Sequence, residues 1–200
     1  MGDPRRLKKK YKTPIHPWQS ARIEEEAVLI KNYGLKNKRE IWKMEAVLRR
    51  FTELAKKVIK ASNAQAEKER ANMLEQLYLM GLTDKKDVQL DDALSLKINN
   101  VMERRLQTIV YKKGYANTMK KARQFITHGH VLVGDRKISS PSHIVTRAEE
   151  EKVAIVPESP FASAEHPERT VQRKEIKPKK KEDTRSRGGR SFRRRRGERR

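Results

Sequence analysis

Few residues of this 200-residue chain could carry out covalent chemistry, and their spacing argues against each reaction in turn. Asp91 and Asp92 are paired carboxylates, but neighbours on a helix point in different directions and no glycine-bounded ligand loop surrounds them. Capping and solvation account for them better than a metal or an acid/base pair. His128 and His130 lie too close to a helix end to form a helical metal pair, and no third ligand is near; His16, His143 and His166 are isolated. Ser139, Ser140 and Ser142 lack the glycine-bracketed turn of a nucleophile elbow. The absence of Cys excludes disulfides, thiolate metal sites and Cys nucleophiles, and no glycine loop suited to cradling phosphate is present. No metal site and no cofactor are expected. What remains is cationic: between Arg104 and Arg147 stand ten Lys and Arg against the single acid Asp135, a balance of +9. That chemistry is the neutralisation of phosphate.

The whole chain shares this bias. Lys and Arg number 49 against 26 Asp and Glu, giving +23, and 38% of residues are charged against 35% hydrophobic. A compact body with that charge repels itself unless a polyanion neutralises it. Nucleic acid fits better than a membrane, because the longest apolar runs, Ala27 to Ile30 and Val131 to Val133, are far too short to span a bilayer. The first residues show no signal-peptide stretch and a poor myristoylation context, so a cytoplasmic location is expected.

Four segments must position the cations. Residues 1–22 read as a basic arm carrying Arg5, Arg6, Lys8, Lys9, Lys10 and Lys12, with Pro14 and Pro17 favouring extended chain. Tyr11 and Trp18 stand among these charges; the arm is expected to touch RNA, with Trp18 packed against protein. Residues 23–96 read as a helical domain. A first helix spans about Ile23 to Tyr33 and stops at Gly34, and a second begins near Lys38. In that second helix Ile41, Met44, Leu48, Phe51, Ala55 and Val58 share one face. A third helix follows the Ser62–Asn63 break, carries Leu74, Leu77, Tyr78 and Met80, and ends at Gly81; a connector with a turn at Asp91 to Leu94 follows. These stripes read as core. Residues 157–200 read as a basic tail, extended or disordered without RNA, in which Arg173 to Arg200 holds 15 Lys and Arg against 4 acids.

Between them, residues 97–156 form a second unit. One helix is expected from Val101 to Lys113, burying Met102, Leu106, Ile109 and Val110 and turning Arg105 and Lys112 outward, with Gly114 as its end. Asn117 or Thr118 caps a second helix whose Met119, Ala122 and Ile126 face inward while Lys121, Gln124 and His128 form another stripe. His130 to Val133 alternates as a strand, Gly134-Asp135 makes a hairpin turn, Arg136 to Ile138 returns, Ser139 to Val145 is extended, and Lys152 to Val156 is a further strand. The fold class is therefore α+β: a helical N-terminal block plus a small unit of a helix pair with short strands.

Glu103-Arg104-Arg105-Leu106-Gln107-Thr108, Gly114-Tyr115-Ala116, Ala122-Arg123, His128-Gly129-His130 and Pro141-Ser142, in order over about 45 residues, closely resemble the S-four RNA-binding domain. That domain also occurs in pseudouridine synthases, tyrosyl-tRNA synthetases and small stress proteins. Tyr33-Gly34-Leu35, Asn37-Lys38-Arg39-Glu40, the Thr13-Pro14 arm and the helical block resemble the archaeal and eukaryotic branch of the ribosomal S-four family, over roughly residues 5–165. The resemblance implies a structural, non-enzymatic constituent of the small ribosomal subunit. Such a protein binds a helix junction in the 5′ domain of the ribosomal RNA early in assembly and influences decoding accuracy. It lies beside a small-subunit protein of the S-five family, close to where mRNA enters. No membrane partner and no homo-oligomer are expected.

The family surface maps onto Arg104, Arg105, Lys120, Lys121, Arg123, His128, His130, Arg136, Lys137 and Ser142. Lys112, Lys113, Gln124, Ser140 and His143, with the cations of the arm, complete the expected RNA-binding set. Reversing Arg104 and Arg105 to Glu should then weaken RNA binding with the helical block still folded. Two departures stand out: the Cys-rich metal site of many bacterial members cannot be built here, and the usual Asn-Gly hairpin is Gly134-Asp135. A free RNA chaperone or assembly factor using the same domain is the alternative. An RNA-modifying enzyme is more distant, because residues 1–96 show core stripes and no catalytic constellation.

Overall fold

A computed structural model describes residues 9–61, 63–84, 89–163 and 166. Arg5, Arg6, Lys8, Ser62 and the basic tail beyond residue 166 lie outside the described residues.

Helix α1 (Ser20–Tyr33) ends where Gly34 turns left-handed at φ 57° and its N–H donates to the Ile30 carbonyl. Helix α2 (Lys38–Lys60) follows, burying Ile41, Met44, Phe51, Ala55 and Val58 on one face with Leu48 at its partly buried edge. Helix α3 (Ala64–Leu79) packs back on α2 through Met73 and Leu77, with Leu74 and Met80 beside them, and Gly81 at φ 67° stops it. The connector forms a genuine short helix, α4 (Leu90–Ser95), whose Ala93 is fully buried. Asp91 and Asp92 occupy its first turn, where carboxylates complement the helix dipole.

The helix expected over Val101 to Lys113 is two helices, α5 (Ile98–Glu103) and α6 (Leu106–Lys112). Arg105 between them is extended, at φ −71° and ψ 141°. The cause is a competing backbone partner. Leu106 N–H donates to the His143 carbonyl at 2.8 Å and Val145 N–H to the Arg104 carbonyl at 2.9 Å, so Arg105 and Ile144 form an antiparallel bridge. The apolar spacing hid the break. Met102 and Leu106 are four apart and both fully buried, but Met102 belongs to the core of the helical block and Leu106 to the core of the second unit.

Helix α7 (Met119–Thr127) is capped by the Thr118 hydroxyl, which accepts from Lys121 N–H at 3.2 Å. Ala122, Phe125 and Ile126 are its buried residues. Strand β1 (Val131–Val133) is central in a three-stranded antiparallel sheet, between β2 (Arg136–Lys137) and β3 (Val153–Ile155). Pairing Val133 with Arg136 and with Val153 turns Val131 and Val133 into the core and leaves the β2 cations outside. Of the hairpin residues only Gly134 has positive φ, 61°, as in two-residue turns with glycine first.

Two further elements were not read from the sequence. Helix α8 (Arg147–Glu151) starts at a full capping box: the Thr146 hydroxyl accepts from Glu149 N–H, and the Glu149 carboxylate accepts from Thr146 N–H at 2.9 Å. Beyond Val156 the chain still packs. A 3-10 turn at Pro160–Ala162 sets the Phe161 ring 4.4 Å from Phe125 and 5.0 Å from His130.

Candidate nucleic-acid interface

The two cores are joined by ionic and polar contacts, which sort the expected RNA-binding residues into inward and outward groups. Glu40, in the first turn of α2, accepts from Arg105 Nη2 at 2.6 Å through Oε2, and from Arg123 Nη2 at 2.9 Å through Oε1. Burial alone would raise the Glu40 carboxyl, but the hydrogen bonds and charges of Arg123 and Arg105 outweigh it and hold the group below the usual carboxylate range. Arg105 is 1% exposed, so the outward face assigned to it is corrected. Its guanidinium points into the junction because the extended backbone at that residue turns the side chain away from the Lys112 stripe. Reversing Arg105 to Glu would set two carboxylates against each other in this junction, and the helical block would not be spared.

Gln107 was not singled out as a contact between the two units. It is buried, and its Nε2 donates to the Tyr33 carbonyl at 3.1 Å and the Met119 carbonyl at 2.8 Å. This ties the end of α1 to the start of α7. Arg104 is held by Glu150 at 2.6 Å and lies against the backbone of Gly81, where a Cβ would come within 2.5 Å of its Cζ. Arg147 donates to the Thr83 carbonyl at 2.7 Å and stacks 4.5 Å over the Tyr78 ring. Lys113 also points inward: its Nζ donates to the carbonyls of Glu150 and Val153, satisfying the C-terminal end of α8.

His130 is likewise engaged, with Nδ1 3.1 Å from the Ser159 hydroxyl. His143 lies 3.6 Å from Glu149. The Glu149 carboxyl is lowered, first by the Thr146 backbone N–H, against an opposing push from burial. Ser140 and Ser142 bond each other at 3.2 Å.

What faces solvent is a smaller, coherent set. Lys120, Gln124 and His128 are exposed at four-residue intervals along α7, with Lys121 half-buried beside them. Arg136 and Lys137 are exposed on β2, the outer strand that follows α7 through β1. Lys120 and Arg136 have no acidic partner among the described residues; Lys137 has only Glu158 at 3.9 Å. Lys112 is exposed but paired with Glu103 at 2.8 Å. Exposed cations fixed on a helix and on a hairpin of the same small unit suit the phosphate backbone of a folded RNA. Among the described residues no three His, Asp or Glu are placed to hold a metal ion, and no described helix is long and apolar enough to cross a membrane.

Residues 104–151 match the model of the S4 domain. Over 170 residues the chain is 52% identical to the small ribosomal subunit protein uS4 of Methanococcus aeolicus, covering 85% of this chain and 96% of that protein. The chain belongs to the uS4 family. A second relative, uS4 of Methanococcus maripaludis, is 48% identical over 171 residues, covering 86% of this chain and 96% of its own length. The uS4 proteins are structural components of the small ribosomal subunit, in the cytoplasmic ribosome, and not enzymes. The S4 match begins at Arg104, where α5 gives way to α6, and closes at Glu151, the end of α8. It takes in most of the second core and the outward residues but stops short of β3, whose Val153 completes that core, while Glu40 and Tyr33, which brace the module, come from the uS4 helical block.

Proposed function

We propose that this uS4 chain binds a helix junction in the 5′ domain of small-subunit ribosomal RNA through the outward stripe of its S4 module and its basic arm. One observation carries the proposal: Lys120 and Gln124 on α7, His128 at its C-cap and Arg136 and Lys137 on β2 are all exposed, while Arg105, Lys113 and Arg123 are turned into protein contacts. Preorganised cations bind a fixed RNA shape without first paying to order themselves. Arg104, Arg105, Lys113 and Arg123 then act by holding the module in place, and the outward residues do the contacting. Early binding to bare RNA, nucleation of the subunit body and an influence on decoding accuracy follow from such a role. An S-five-family protein is the expected neighbour, with mRNA passing nearby.

The test is a filter-binding titration of the full chain against a transcript of archaeal small-subunit ribosomal RNA. Lys120→Glu combined with Arg136→Glu should weaken binding at least tenfold with an unchanged circular dichroism spectrum. Equal affinity in parent and variant would remove the stripe from the RNA surface.

A further inference from the structure

Trp18 contradicts its expected packing against protein: it is 89% exposed, as is Ile15. This exposure is built into the fold. The Arg22 guanidinium of α1 donates to the His16 carbonyl at 2.6 Å and to the Pro17 carbonyl at 3.1 Å, pinning the turn that leads into Trp18. Upstream, the Tyr11 ring lies 6.1 Å from Trp42 on α2, anchoring the arm to the helical block. Trp42 itself is fixed by donating to Glu26 at 3.0 Å. The arm is therefore held on both sides of an outward-facing indole.

The surroundings fit one kind of occupant. Pro14, Pro17, Trp18, Ile23 and Trp42 line a cleft of about 280 Å³, with Arg22 and Lys38 also at its wall. An adjoining cleft of about 340 Å³ shares Thr13, Pro14, Arg22 and Glu26 with it. That cleft in turn shares Lys12 and Arg49 with a third, lined by Lys9, Lys10, Tyr11 and Arg50. A groove thus runs along the arm from an apolar, aromatic end to an end where Lys9, Lys10, Lys12 and Arg50 stand with Glu53, and with Arg49, which is paired with Glu45 at 2.8 Å. A largely apolar, aromatic cleft beside a cationic track matches the two parts of a nucleotide: the base stacks and the phosphates are neutralised. An apolar protein segment would use the slot and gain nothing from the cations.

We propose that Trp18 is a stacking platform for an unpaired RNA base, with Lys9, Lys10, Lys12 and Arg50 taking the flanking phosphates, as a second contact site on the helical block. This rests on the RNA-binding reading of the S4 module, and the two can fail separately.

The probe is a transcript of archaeal small-subunit ribosomal RNA, titrated into the full chain. In Trp42→Phe the only remaining indole is Trp18, and its emission should be quenched as RNA saturates the protein. In the otherwise unchanged chain, Trp18→Ala should weaken binding about tenfold, and Trp18→Phe should recover most of that loss. The salt dependence of Trp18→Ala should match the parent, because no charge is removed. Unchanged affinity for Trp18→Ala, while Lys120→Glu with Arg136→Glu still weakens binding, overturns the Trp18 site and leaves the module reading standing. Emission that is unaltered by saturating RNA but shifts on joining an intact small subunit also overturns it, in favour of a protein occupant.

Discussion

Glu40 Oε2 accepts a hydrogen bond from Arg105 Nη2 at 2.6 Å, joining residues 65 positions apart and locking the S4 module to the helical block. Arg123 grips the same carboxylate, so one acid on α2 is shared by two arginines of the module. Removing Glu40 leaves the fully buried Arg105 guanidinium without its acid, which costs up to about 3–5 kcal/mol. Glu40→Gln should therefore lower the melting temperature by about 10 °C, read by calorimetry. Arg123→Gln should cost clearly less than Arg105→Gln, because the Arg123 side chain is 24% exposed and that of Arg105 is 1%.

The same carboxylate sets a pH dependence. Glu40, Glu26 and Glu149 all titrate below the ordinary carboxylate range. For Glu26, as for Glu40, burial pushes upward but is outweighed, here by hydrogen bonds from Trp42 and Lys38. A depressed folded-state pKa contributes stability that is fully present above the unfolded value, about 4.3. It is lost as pH falls through the lower folded value. Urea midpoints should hold above that pH and fall steeply below it. In Glu40→Gln the fall should be shallower, because one of the three depressed carboxylates is gone.

Gly34 closes α1 at φ 57°, and a Cβ there would meet Met119 Cβ at 2.9 Å and crowd the Gln107 amide. Gly34→Ala combines left-handed strain of about 1–2 kcal/mol with a clash that separates α1 from α7. Gln107→Leu removes the donor to the part-buried Tyr33 and Met119 carbonyls, at about 1–3 kcal/mol. Both should melt earlier than the parent. Because they break one junction, the double variant should lose less than the sum of the two.

On the RNA side, Lys120→Gln, Arg136→Gln and Lys137→Gln together remove three outward cations without reversing charge. The slope of log affinity against log salt should fall by about 2 to 3, measured by filter binding across a salt series. Lys113→Gln should barely change that slope, because Lys113 is spent on the carbonyls of Glu150 and Val153. It should lower thermal stability instead.

Much of this molecule was legible beforehand where a local rule acts alone. Gly34, Gly81, Gly114 and Gly134 all have positive φ where a helix end or hairpin turn was expected, and the α2 stripe packs into the core of the helical block. The excess of cations was legible as a cluster, at +9 between Arg104 and Arg147. What could not be read was which cations face inward. That depends on Glu40, 65 residues from Arg105, and on the carbonyls of α8, whose own start was announced by Thr146 and Glu149 three residues apart and overlooked. The α5–α6 break was invisible for a related reason. Its cause is a backbone pairing with residues 143–145, while the apolar period runs through it undisturbed.

The most direct measurement is sedimentation of native cell extract through a high-salt sucrose gradient, with mass spectrometry following this chain. Shape-specific contacts should keep one copy on each small subunit, whereas loose electrostatic attachment is stripped by salt. Release into the light fractions, with intact small subunits left behind, would contradict a resident ribosomal role and indicate a transient assembly factor.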